Sequence, residues 1–290
     1  MRMRALILGA SGQVGAALQQ CSPPDAIVVA HDVEQTNICD AAAVERTMRD
    51  VRPDVVLNCA AFTRVDDAET LHDEAFAANA IAPGVIAAAA ASQGARMLHI
   101  STDYVFDGTA CTPYLPNADV NPINAYGATK LEGERRVLQA APRSVIVRTA
   151  WVHSGGGVNF IRTAVRLLSA GTSMRVVDDQ TGTPTRALHL AQALWKIAGT
   201  PSLDGILHFT DAGVASWFDV AVAVRETLLE AGRLSANATV SPARTHEFPR
   251  PARRPQYSVL DKHASWSAIG YLPPHWRHGV AASTMELLNA

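Results

Sequence analysis

The chain has 290 residues, 25 basic and 27 acidic side chains, a formal net charge of −2, 48% hydrophobic residues and 18% charged ones. With a mean hydropathy of +0.05, it is too apolar for a mainly disordered chain and has no overall positive field to draw it to nucleic acid or an anionic membrane. The length allows one large domain or two modest ones.

Arg4–Leu8 reads as a short strand and Gly12–Gln20 as a helix, with Val14, Ala17 and Leu18 at 3–4 spacing. Ala26–Ala30 is the next strand; Asp40 N-caps a helix to Asp50 with Val44, Thr47, Met48 and Val51 on one face. Asp54–Ala60 returns to strand, the Ala75–Ser92 helix follows, and Arg96–Ile100 is again strand. Tyr126–Ala140 gives a helix and Ser144–Arg148 a β-branched strand. Strands alternating with helices, without hairpin signals, predict right-handed crossovers and a doubly wound parallel sheet over residues 1–150. Beyond it the pattern loosens: Gly155-Gly156-Gly157 is a flexible turn, Phe160–Leu168 and Ala187–Ala198 are helices, and Met174–Val177 and Ile206–Phe209 are strands. Pro242–Pro255, rich in Pro and Arg, reads as an ordered loop. Residues 151–290 are expected to form mainly a smaller substrate domain, with some segments returning to the first.

Ala80–Ala91, the longest nearly apolar stretch, is broken by Pro83 and Gly84 and falls short of the ~18–20 residues of a membrane helix, so no span is expected. The first apolar run is too short for a signal peptide, which points to a cytoplasmic protein. Cys21, Cys39, Cys59 and Cys111 lack zinc or disulfide spacing and read as buried or inert thiols. The ten histidines show no ligand pattern, so no metal site is expected among them.

The turn Gly9-Ala10-Ser11-Gly12-Gln13-Val14-Gly15 joins the first strand to the first helix. Small residues let the backbone approach a pyrophosphate, and the helix N-terminus supplies free amide donors and partial positive charge. The spacing is G-x-x-G-x-x-G, with Ser11 where the more common pattern has its second glycine. Asp32 follows the second strand, where a carboxylate can accept from an adenosine ribose; this favours NAD over its 2′-phosphorylated form, although His31 beside it could tolerate a phosphate. Asn58-Cys59-Ala60-Ala61 places small residues where a cofactor would cross the sheet edge.

Tyr126 and Lys130 stand at i and i+4 near a helix start, on one face. The chain has only three lysines, Lys130, Lys196 and Lys262, against five tyrosines, so Tyr-x-x-x-Lys is expected by chance about 0.05 times. An ammonium near a phenol lowers its pKa and makes it a usable proton donor. Ser101-Thr102-Asp103 directly follows a strand, at the ligand-binding end of an open α/β sheet, where Thr102 can hold a substrate oxygen.

These residues resemble the extended short-chain dehydrogenase/reductase family, and within it the dTDP-4-dehydrorhamnose reductases. The likeness covers nearly the whole chain, through Gly9-x-x-Gly12-Gln13-Val14-Gly15, Asn58-x-Ala60-Ala61-x-Thr63, Ser101-Thr102-Asp103-Tyr104-Val105-Phe106, Tyr126-Gly127-x-Thr129-Lys130, Arg148-Thr149-x-Trp151, Asp179-Gln180-x-Gly182-x-Pro184-Thr185 and Pro251-Ala252-x-Arg254-Pro255. The resemblance implies a Rossmann domain with a smaller C-terminal substrate-binding domain, a catalytic trio Thr102, Tyr126 and Lys130, and a cofactor, NADPH or NADH, lined by Gly12, Gln13, Val14, Ala61, Phe62 and Thr63. Gly9, Gly15, Asp32 and Ala60 complete that lining. Thr102, Asp103 and Trp151 would face the sugar, and Arg254 would hold the diphosphate of a dTDP-4-dehydro-6-deoxyhexose; Arg250 and Arg253 are weaker candidates. The implied reaction reduces the C4 ketone of dTDP-4-dehydro-L-rhamnose. The related 4,6-dehydratases carry Thr-Asp-Glu where this chain has Tyr104 third, which disfavours dehydration; a 4-epimerase or a non-catalytic dinucleotide-binding subunit remain alternatives. Some family members are dimers bridged by a divalent metal on glutamates. The matching positions here are Ala17 and Leu188, so magnesium is doubtful, and a monomer and a homodimer stay open.

Overall fold

The computed structural model describes residues 2–235 and 237–289. The first half runs β1 (Arg4–Leu8), α1 (Gln13–Gln20), β2 (Ile27–His31), α2 (Ala41–Val51), β3 (Val55–Asn58), α3 (His72–Phe76), a π-helical turn (Ala77–Ile81), α4 (Ala82–Ser92), β4 (Arg96–Thr102), α5 (Ala125–Ala140) and β5 (Val145–Thr149). The second half adds β6 (Val152–His153), α6 (Phe160–Ser169), β7 (Met174–Val177), β8 (Thr181–Gly182), β9 (Thr185–Arg186), α7 (Ala187–Ala198), β10 (Gly205–His208), β11 (Ala215–Ser216), α8 (Trp217–Glu230), β12 (Val240–Ala243), α9 (His263–Ile269) and α10 (Trp276–Leu288).

Six parallel strands form one sheet in the order β10-β5-β4-β3-β1-β2. Period-two alternation splits their side chains between two layers. Ala5, Ile7, Val55 and Leu57 face α1 and α7 through Leu18, Leu190 and Leu194. Leu6, Leu8, Val56 and Met97 face the layer of α2 and α4, which supplies Val44, Met48 and Ile86. The chain leaves β1 for β2 on one side and then crosses to β3 on the other, so a crevice opens between the carboxyl ends of β1 and β3.

Second-half elements complete this unit. β10 pairs with β5, and α7 packs on α1, where Trp195 Nε1 donates to the Leu18 carbonyl at 3.0 Å. A separate core joins α6, α8 and α10 through Ile161, Leu168, Val224, Leu228 and Val280. The sequence pattern assigns no helix to 217–230, because Val220-Ala221-Val222-Ala223-Val224 is a continuous apolar run without a 3.6 period; a Ser216/Asp219 capping box starts the helix.

Two expectations need correction. The segment 242–255 is loop only in part: β12 pairs in parallel with β7, and a short 3-10 turn covers Thr245–Glu247. Pro242 is tolerated because this sheet has only two strands, each an edge. Pro83 and Gly84 do not break the apolar run; the helical stretch His72–Ser92 has 21 residues and a hydropathy of 1.5, long and apolar enough by composition to cross a membrane. Here it packs against α2, α5 and β4, and Pro83 sits in the first turn of α4.

Candidate active site

The glycine turn sits at the crevice mouth. Gly9 has φ +80°, and a Cβ there would fall 2.7 Å from the Ala60 amide nitrogen, so only glycine lets the turn lie against the end of β3. A Cβ at Gly15 would run into the Gly9 carbonyl oxygen, so that glycine seats α1 on the turn. Gly12 is the N-cap of α1 and offers no side-chain cap, which leaves the first amides of the helix without an internal partner. That uncapped, glycine-lined helix start fits a dinucleotide pyrophosphate. Val14 packs into the core below, and Gln13 Oε1 accepts from Ser154 Oγ at 3.0 Å and Asn159 Nδ2 at 2.8 Å, tying the turn to the second half. Asp32 Oδ2 accepts from the Ser11 amide at 2.8 Å and Oδ1 from the Val33 amide at 2.8 Å. The Ser11 hydrogen bonds hold its carboxyl below the usual aspartate range.

On the other side of the crevice, Ala60, Ala61, Phe62 and Thr63 follow β3. Asn79 pins this segment: its Oδ1 accepts from the Phe62 amide at 2.8 Å, and its Nδ2 donates to the Phe62 carbonyl at 3.0 Å and to Thr129 Oγ1 at 3.2 Å. Asn79 is fully buried in the π-helical turn, the kind of local widening that recurs at functional sites.

Asn124 N-caps α5 through the Gly127 amide, and the helix projects Tyr126, Lys130 and Glu134 from one face. Lys130 is 2% exposed; its Nζ donates to the Ile100 carbonyl at 2.7 Å and lies 3.4 Å from His99 Nε2. Asn58 Nδ2 donates to His99 Nδ1 at 3.0 Å, so a buried polar chain runs from the end of β3 to the lysine. Burial lowers the Lys130 pKa to about 8, against the pull of Glu134, and holds His99 neutral, well below its ordinary value.

Thr102 ends β4. Its Oγ1 accepts from the Tyr104 amide at 3.1 Å and donates to Asp103 Oδ1 at 3.0 Å. The Tyr126 ring, half-buried, meets Tyr104 edge-on at 6.1 Å. Burial and the Asp103 charge raise the Tyr126 phenol above its ordinary value, with the Thr102 hydroxyl acting in the opposite sense. The expectation that Lys130 lowers this pKa is therefore corrected for the protein alone: burial and the Asp103 charge prevail, and the lysine Nζ is held on the Ile100 carbonyl.

Arg254 comes from the Pro/Arg loop, yet it is anchored beside the site. It pairs with Asp66 at 3.0 Å, stacks 5.9 Å from the Tyr104 ring and leaves one guanidinium nitrogen buried without a partner. Arg250, Arg253 and Arg254 line a cleft of about 420 Å³ with Gly108, Gln180 and Thr245. Trp151 has φ +48°, a strained conformation for a bulky residue. One face of its indole stacks on Trp217 at 3.8 Å, and Gly182 leaves room for its edge.

Over residues 3–289 the chain matches the family described as RmlD substrate binding domain. It is 42% identical over 294 residues to the dTDP-4-dehydrorhamnose reductase of Mycobacterium tuberculosis (strain H37Rv), covering 99% of this chain and 94% of that protein. The chain belongs to the dTDP-4-dehydrorhamnose reductase family of extended short-chain dehydrogenases/reductases. A family structure from Clostridium acetobutylicum superposes with a TM-score of 0.92 at 40% identity, over 99% of this chain and 100% of that one. Another, from Bacillus anthracis in complex with NADP, gives 0.91 at 34% identity with the same coverage.

Against the metal-bridged members of this reductase family, the residues here do not fit: Ala17 is a buried methyl group and Leu188 a hydrocarbon, and neither offers a donor atom. Among the described residues, no group of three or more His, Cys, Asp or Glu side chains is placed to hold a metal ion. Cys39 and Cys111 are exposed, and Cys21 and Cys59 are only half-buried, so none of the four is a fully buried thiol; desolvation raises the pKa of Cys21 to about 11 and of Cys59 to about 12. Sequence reasoning missed Asn79, His99 and Trp217. For Asn79 the one available signal was a lone amide inside an otherwise apolar helix.

Proposed function

We propose that the protein reduces the C4 ketone of dTDP-4-dehydro-L-rhamnose to dTDP-L-rhamnose, with NADPH or NADH as reductant. One observation carries the reading: Thr102, Asp103, Tyr126 and Lys130 converge at the carboxyl end of the sheet, beside an uncapped helix start shaped for a pyrophosphate. Gly9, Gly12, Gln13, Val14 and Gly15 would hold the pyrophosphate, Asp32 the adenosine ribose, and Ala60 to Thr63 with Lys130 the nicotinamide end. The bound cofactor supplies hydride to the ketone carbon. Tyr126 gives its phenolic proton to the developing alkoxide, Thr102 holds the ketone oxygen, and Lys130 contributes positive charge beside them. Trp151 and Asp103 face the sugar, and the free nitrogen of Arg254 meets the diphosphate. Both ligand classes are cytoplasmic metabolites, and we place the protein there as a monomer or homodimer, acting apart from membranes and nucleic acid.

Loss of reduced-nicotinamide absorbance on adding dTDP-4-dehydro-L-rhamnose, with dTDP-L-rhamnose identified by mass and NMR, tests the assignment. No absorbance loss at high enzyme concentration rejects it, and an epimerase would instead carry tightly bound NAD and turn over without added reductant.

A further inference from the structure

Thr102 has one hydroxyl proton and two lone pairs. The Tyr104 amide occupies one lone pair at 3.1 Å, and the proton is directed to Asp103 Oδ1 at 3.0 Å. In that arrangement the hydroxyl has no proton left for a ketone oxygen. Asp103 is 2% exposed, and Oδ2 of the same carboxyl is buried without any hydrogen-bond partner.

Resting on the reductase reading above, we propose that Asp103 is a positioning residue that works in its protonated form, donating from Oδ1 to the second lone pair of Thr102 and so turning the threonine proton toward the substrate ketone. The proton that ends on the product comes from Tyr126; those on Thr102 and Asp103 are shared in hydrogen bonds and are not consumed.

The surroundings favour this state. Tyr104 from the same turn, Tyr126 from α5 and Ser258 from the C-terminal half face the carboxyl; Arg254 and Asp66 act on Tyr104. The hydroxyls of Ser258 and Thr102 and the amides of Asp103 and Tyr104 favour the carboxylate, but burial outweighs them and pushes the pKa up to about 6. A charged Asp103 would also oppose the negative charge that develops on a ketone oxygen held by its hydrogen-bonded neighbour Thr102.

The test is kcat/KM for dTDP-4-dehydro-L-rhamnose between about pH 5 and about pH 8, in the wild type, Asp103→Asn and Ser258→Ala, with reduced-cofactor binding followed by fluorescence. Asparagine donates to Thr102 at every pH. We expect wild-type kcat/KM to fall about tenfold per pH unit above the Asp103 pKa, Asp103→Asn to vary less than about threefold and overtake the wild type at about pH 8, and Ser258→Ala to move the wild-type break upward. A flat wild-type profile overturns the proposal whatever the variants do, as does an Asp103→Asn enzyme that binds cofactor normally but is slow at every pH. A wild type that turns over no keto-sugar at any pH removes the reductase reading, and this inference with it.

Discussion

Glu134→Gln should destabilise the protein severely, because Glu134 neutralises a guanidinium that has almost no contact with water. Glu134 and Arg148 are each 2% exposed, and the carboxylate accepts from Arg148 Nε at 2.9 Å and from a terminal nitrogen at 2.7 Å. Ser101 Oγ donates to the same carboxylate. Without that charge Arg148 keeps the Pro116 carbonyl at 3.2 Å, the Phe106 ring at 5.1 Å and a single neutral acceptor, the glutamine oxygen. Stranding one member of a buried pair costs about 3–5 kcal/mol; the glutamine oxygen still accepts one bond, which argues for the lower end, about 3 kcal/mol. For a chain of this size that corresponds to a fall in melting temperature of roughly 6–12 °C. The effect bears on function because α5 carries Tyr126, Lys130 and Glu134 on one face, so the pair anchors the helix that presents the phenol. Urea unfolding followed by circular dichroism measures the loss. The double variant Glu134→Leu/Arg148→Met should recover most of it, since apolar replacements leave no unpaired charge. A Glu134→Gln protein within about 1 kcal/mol of wild type would refute the reasoning.

Three further outcomes follow from the geometry. Asn79→Leu removes both hydrogen bonds that fix the Phe62 backbone, and should weaken reduced-cofactor binding by about tenfold, one hydrogen-bond equivalent, in a fluorescence titration; unchanged affinity would detach this residue from the site. Asp32→Asn removes a carboxylate held ionised by the Ser11 hydrogen bonds, and should shift the ratio of NADPH to NADH affinity toward NADPH by roughly tenfold; a shift the other way would contradict its placement at the ribose. Asp103→Asn also carries a stability prediction. The folded pKa of about 6 lies above the ordinary aspartate value of 3.8, so the stability that protonation supplies is full below about pH 4 and is lost as pH rises through about 6. The asparagine variant escapes that loss and should be the more stable protein at pH 8, by up to about 3 kcal/mol, in urea unfolding at pH 4 and pH 8.

Much of the sheet was legible because β1, β3, β4 and β5 are short, largely β-branched or aliphatic runs bounded by Gly, Pro and Asp, and because Asp40 marks a helix start chemically. The glycine turn showed itself through spacing and the Tyr126/Lys130 pair through rarity. What stayed hidden depends on contacts distant in sequence. Asn79 matters through Phe62 and Thr129, and Trp217 through Trp151; a lone amide in an apolar helix is the one local mark at Asn79, and no local pattern marks Trp217. The Lys130 environment was misjudged for the same reason: i, i+4 spacing says which face two side chains share, whereas the Ile100 carbonyl that takes up the ammonium comes from another strand. In α8 the periodic signal failed outright, because the continuous apolar run Val220–Val224 hides the 3.6 period, whereas Pro83 was taken to break an apolar run although proline is harmless in the first turn of a helix.

The central claim is that one phenol delivers the proton that completes the reduction. Single-turnover oxidation of bound NADPH by dTDP-4-dehydro-L-rhamnose in Tyr126→Phe, set beside the cofactor dissociation constant of the same preparation, tests it most directly. The account predicts a rate lower by about 10²–10⁴ with cofactor affinity within about twofold of wild type; a Tyr126→Phe enzyme that turns over at the wild-type rate would contradict it.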